Sequence, residues 1–97
     1  MGVTSMKVYI SGPMNGQCNY LERFGAAEEL LREAGYDVVN PSEDSDLKPN
    51  MDNYLDRSFE LLKDCDGIYM LQGWNFCAEC ITEFEYAKEH KLTICFQ

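Results

Sequence analysis

Basic residues are scarce in this chain: eight Lys and Arg stand against 17 Asp and Glu, for a formal net charge of −9 over 97 residues. That field repels phosphate backbones and anionic lipid surfaces at long range, so neither a nucleic-acid polymer nor a membrane is an expected partner. A single small nucleotide stays possible, because one phosphate can be held by local backbone N–H groups. No apolar run reaches the roughly 18 residues that cross a bilayer, and residues 1–6 lack the basic start and apolar stretch of an export signal. The expected location is therefore the cytoplasm. Cysteine is odd in number, at Cys18, Cys65, Cys77, Cys80 and Cys95, which fits reduced thiols and no disulfides. Histidine occurs once, at His90, and no second close pair of ligands accompanies Cys77 and Cys80, so no metal and no cofactor is expected.

What is present is enough for a core, since 45% of the residues are hydrophobic. One domain over residues 1–97 is expected, with 1–6 a short loose N-terminus. The punctuation reads as strand and helix in alternation, which implies an α/β domain with a parallel sheet. Lys7-Val8-Tyr9-Ile10-Ser11 has strand composition and stops at Gly12-Pro13. Tyr20, Phe24, Ala27, Leu31 and Ala34 recur at helical spacing, and Gly35 supplies a left-handed stop. Residues 36–40 form a second strand closed by Pro41, and residues 42–50 an acidic loop. Asn50 is the expected N-cap of a second helix with Leu55, Phe59 and Leu62 on its inner face. The nearly continuous apolar character of Gly67-Ile68-Tyr69-Met70-Leu71 is that of a strand buried on both faces. A third helix over residues 78–90 and a strand over 92–96 complete a flavodoxin- or Rossmann-like three-layer domain of four parallel strands, expected in the order 2-1-3-4.

In such a fold ligands bind beyond the carboxyl ends of the strands. Two loops are expected to meet there, Gly12-Pro13-Met14-Asn15-Gly16 and Gly73-Trp74-Asn75-Phe76-Cys77. Trp74 and Tyr9 are candidates to stack on a base or cover a sugar, or else are core and rim aromatics with a polar tip.

The joint spacing of Val8-Tyr9-Ile10-Ser11-Gly12-Pro13-Met14, Ala34-Gly35-Tyr36 to Asn40-Pro41, Cys65-Asp66, and Gly73-Trp74 followed by Glu83 and Ala87 resembles one known pattern. It is similar to the short, often phage-encoded, domain-of-unknown-function branch of the nucleoside 2-deoxyribosyltransferase-like superfamily, and the resemblance runs from residue 7 to residue 96. It implies cleavage of an N-glycosidic bond, hydrolytically or by transfer of the sugar to another base. The substrate would be a deoxynucleoside or its 5′-monophosphate. Glu83 matches the nucleophile of that superfamily, and Tyr9, Gly12, Pro13, Met14, Asn15, Ser58, Gly73, Trp74 and Cys77 stand at the positions of its substrate contacts.

The chemistry suits the residue. A carboxylate beneath C1′ stabilises an oxocarbenium-like transition state and then forms a sugar ester. The bland account is that Glu79, Glu83, Glu85 and Glu89 are all solvated on one acidic helix, Glu79 and Glu83 forming an i, i+4 like-charge pair. Two positions depart from the superfamily's pattern: Ser58 stands where an aspartate usually holds a sugar hydroxyl, and Cys77 stands where a serine contacts phosphate or sugar. Asp56 or Asp52 is an alternative source of the missing carboxylate. A second reading accordingly keeps the crevice as a nucleotide-binding site without turnover. A third takes the chain as a partner-binding fold with a redox-active Cys77/Cys80 pair, against the plainer account of two small packing residues. The resemblance also implies a homodimer or larger homo-oligomer.

Overall fold

The structure is a computed structural model that describes residues 6–14, 19–44 and 53–97. Four strands, β1 (Lys7–Ser11), β2 (Asp37–Val39), β3 (Gly67–Met70) and β4 (Thr93–Phe96), alternate with three helices, α1 (Tyr20–Glu33), α2 (Tyr54–Leu62) and α3 (Ala78–Glu89). The strands form one sheet in the order β2-β1-β3-β4, as the alternation predicts. Every ladder is parallel, with Val8 opposite both Val38 and Gly67, and Ile68 opposite Ile94.

The chain leaves β1 toward one edge of the sheet to make β2 and returns over β1 to make β3. Right-handed crossovers then require α1 and α2 to lie on opposite faces. The two apolar clusters follow that division. Val8, Ile10, Tyr69 and Leu71 pack with Phe24, Ala27 and Leu31 of α1. Tyr9, Ile68 and Met70, the alternate positions of the same strands, pack with Leu62, Cys80 and Ala87 of α2 and α3. Full burial of each large apolar side chain contributes roughly 1.5–3 kcal/mol. β3 is buried at every residue, as its unbroken apolar run predicts, whereas β4 is an exposed edge with only Ile94 half-buried.

β1 matches the sequence reading at both ends, and the ends of the other strands and of α1 and α3 match it or differ by one residue. Helix α1 closes on a C-cap at Ala34, so Ala34 is exposed rather than inward, and Gly35 follows with φ 98°. The segment after β2 carries a 3₁₀ turn, Pro41–Glu43, capped by Asn40, whose side chain accepts from the Ser42 backbone N–H. Helix α2 starts at Tyr54 with Asn53 in the N-cap position; Asn50 lies outside the described residues.

Candidate functional site

Strand alternation decides the floor of the site. Tyr9 and Ser11, two residues apart on β1, both point to the face covered by α2 and α3. On α3 the buried positions are Cys80, Glu83 and Ala87, the i, i+3 and i+7 stripe of an amphipathic helix with a glutamate at its centre. Glu79, Glu85 and Glu89 on the same helix are exposed, whereas Glu83 is 1% exposed. One glutamate in four is therefore singled out by burial.

Glu83 is held by hydroxyls. Its Oε2 accepts from the Tyr9 phenol at 2.8 Å, and its Oε1 from the Ser11 hydroxyl at 2.6 Å. Ser58, fully buried on α2, lies beside the same cluster and donates to the Leu55 carbonyl at 3.4 Å. Burial raises the Glu83 carboxyl above the ordinary carboxylate range. The Ser11 and Tyr9 hydroxyls pull the other way by hydrogen-bonding the anion, the nearby Ser58 hydroxyl favours it less, and Glu79 adds a smaller repulsion. The Tyr9 phenol is pushed well above its ordinary value by its own burial and by the negative charge of Glu83, so it stays a proton donor. Tyr54, at the start of α2, is raised for the same two reasons.

Beside this cluster lies an open cavity of about 320 Å³, lined by Pro13, Gln72, Gly73, Phe76, Arg23 and the first turn of α3 at Cys77, Ala78 and Glu79. It sits between the loops that follow β1 and β3, where the strand order reverses, the usual ligand position of such sheets. Arg23 of α1 reaches across it to donate to the Gln72 carbonyl at 2.7 Å. Gly73 adopts φ 93° to start the 3₁₀ turn Trp74–Phe76, a conformation that favours glycine. Glu83 does not line the cavity; it lies one helical turn beyond Glu79, which does.

The sequence-predicted residues thus divide. Tyr9, Ser58 and Glu83 converge as a buried hydroxyl–carboxylate cluster, and Pro13, Gly73 and Cys77 line the adjoining cavity. Gly12 is set by packing: a Cβ there would fall 2.7 Å from Leu71 Cδ1. Met14 packs in the cluster under α1. Trp74 forms an aromatic group with Phe84 at 4.7 Å and Phe96 at 5.8 Å between ring centroids. Asn15 and Asp52 lie outside the described residues, and Asp56 is exposed on α2. Ser11 and Arg23 were not singled out from sequence. The period of two from Tyr9 points to Ser11, but nothing local marks Arg23. Among the described residues no group of three or more His, Cys, Asp or Glu side chains is arranged to hold a metal ion.

The arrangement can present a carboxylate in a water-poor setting, orient it through two hydroxyl donors, and accept a polar ligand of nucleoside size from the adjoining cavity. A family profile with the description "Domain of unknown function (DUF4406)" matches residues 6–96. No curated protein matches the chain.

Proposed function

The chain belongs to the family described as Domain of unknown function (DUF4406), and from the geometry of its buried cluster we propose that it cleaves the N-glycosidic bond of a small deoxynucleoside or deoxynucleoside 5′-monophosphate, with Glu83 as nucleophile. The observation that carries the proposal is the buried Glu83 carboxylate, held by Tyr9 and Ser11 at the carboxyl end of β1. Further support comes from the motif order, which resembles that of nucleoside 2-deoxyribosyltransferase-like enzymes.

In the proposed reaction the sugar displaces at least one hydroxyl contact so that a Glu83 oxygen faces C1′. The C1′–N bond breaks, its electron pair leaves with the base, and the Glu83 oxygen bonds C1′. Water or a second base then attacks C1′ and releases the carboxylate, and the proton it loses balances the one the expelled base takes up. The one of Tyr9 and Ser11 that keeps its hydrogen bond orients the carboxylate, and Ser58 would hold a sugar hydroxyl. Pro13, Gly73 and Cys77 would border the part of the substrate that occupies the cavity.

The test is release of free base from a panel of deoxynucleosides and their 5′-monophosphates, with and without an acceptor base. Release by the wild type that falls to background in Glu83→Gln is the expected result. Absence of release at high protein concentration, or retention of it in Glu83→Gln, overturns the proposal.

A second reading, nucleotide binding without turnover, is favoured by one observation: Ser58 occupies a buried position beside Glu83 and supplies no charge. It predicts a ligand-dependent rise in melting temperature without base release, preserved in Glu83→Ala.

A further inference from the structure

Cys77 and Cys80 stand one turn apart at the start of α3, Cys77 in the N-cap position and Cys80 within the first turn. Their exposures are opposite. Cys77 is half-buried and lines the open cavity, while Cys80 is 1% exposed beneath it. Both are free thiols; Cys77 donates to the Glu79 carboxylate at 3.6 Å, and Cys80 is buried in the neighbourhood of Cys77 and Ser11. Burial and the nearby sulfur raise the Cys80 thiol above its ordinary range, so it is stored protonated.

Residues one turn apart on a helix have Cα atoms about 5 Å from each other, inside the roughly 4.4–6.8 Å that a disulfide spans. The other thiols among the described residues are placed differently. Cys65 donates to the Leu61 carbonyl at 3.3 Å ahead of β3, at the opposite end of that strand from the cavity, and Cys95 is exposed on β4. The Cys77/Cys80 pair also belongs to no metal-ligand group among the described residues.

We propose that Cys77 and Cys80 form a thiol–disulfide exchange site that takes low-molecular-weight disulfides from the open cavity. The accessible Cys77 thiolate attacks one sulfur of the external disulfide, the S–S bond breaks, and the first thiol leaves with a proton. A mixed disulfide on Cys77 remains. Cys80 then loses its proton, its sulfur attacks Cys77 Sγ, and the second thiol leaves. The protein gives up two electrons and two protons, and the external disulfide is reduced to two thiols. This inference goes beyond the glycosidic reading and does not rest on it.

The test incubates the full chain in mixtures of reduced and oxidised glutathione, quenches with acid, alkylates after unfolding and weighs the intact protein. The wild type is expected to lose two alkylation sites without gaining glutathione, and to recover both in excess reduced glutathione. Cys80→Ser is expected to stop at a single glutathione adduct, and Cys77→Ser to keep all its remaining thiols. Peptide mapping of the wild-type bond must join Cys77 to Cys80, which carries the test however either variant folds. A wild type that keeps all five cysteines alkylatable, or a bond mapped to any other pair, overturns the proposal.

Discussion

At the scale of single residues, Glu83 faces two opposed demands. Ionisation suits nucleophilic attack, yet its burial favours the protonated form. A carboxyl whose folded value is raised contributes stability below its unfolded value and loses it as pH rises through the folded one. Glu83→Gln is therefore expected to melt higher than the wild type at neutral and mildly alkaline pH. The gap should close as pH falls into the ordinary carboxylate range. A tenfold change in the acidity of a group on folding corresponds to about 1.4 kcal/mol, and each kcal/mol moves the melting point of a domain this size by about 4–8 °C. Calorimetry across pH checks the sign. Base release should show the reverse trend, increasing with pH as Glu83 ionises, with an acid limb above the ordinary carboxylate range. Gly12 gives a prediction free of chemistry. A methyl group 2.7 Å from Leu71 Cδ1 and 2.9 Å from its Cβ must displace that buried side chain, so Gly12→Ala should cost roughly 1–3 kcal/mol by denaturant titration.

At the scale of elements, the periodic segments were legible because burial imposes their period. Phe24, Ala27 and Leu31 fall on the inner face of α1, and β1 alternates between the two layers. The polar segment after β2 has no such period, and its order comes from side chains meeting across the fold. Asn40 accepts from the Ser42 N–H at 3.0 Å and the Ser42 hydroxyl at 2.7 Å, and donates to Glu28 of α1 at 3.0 Å. That last bond and Arg32 at 2.7 Å hold the Glu28 carboxyl below its ordinary value. Asn40→Ala removes all three Asn40 contacts and should cost about 1 kcal/mol or somewhat more. Thermal melting reads the loss. Helix α2 shows how periodicity can mislead about chemistry: Leu55, Phe59 and Leu62 mark its apolar stripe, but the fully buried polar residue on it is Ser58.

At the scale of the whole molecule, the sheet is covered unevenly. The two helices α2 and α3 serve one face, while on the other α1 packs over β1 and β2 and leaves Thr93 and Cys95 exposed on β4. Phe76 at 88% and Phe96 at 57% exposure add apolar surface near the cavity mouth. Such surface is a candidate contact face between copies of the chain, and the prediction is a homodimer or larger homo-oligomer. Light scattering at micromolar concentration should give at least twice the chain mass, and Phe76→Glu should lower it if that face is the interface. The sequence by itself determined the element order and the parallel sheet, because period, punctuation and crossover handedness are properties of local chain and chirality, and the 2-1-3-4 order it favoured is the one observed. Glu83 and Ser58 were marked only by the resemblance to a known family. Tertiary structure alone decided that Glu83 is the buried one of its helix's glutamates, that Ser11 joins Tyr9 in holding it, and that Arg23 crosses the cavity. Those facts depend on how a helix is rotated against a strand far away in sequence, and no local pattern of residues encodes that rotation.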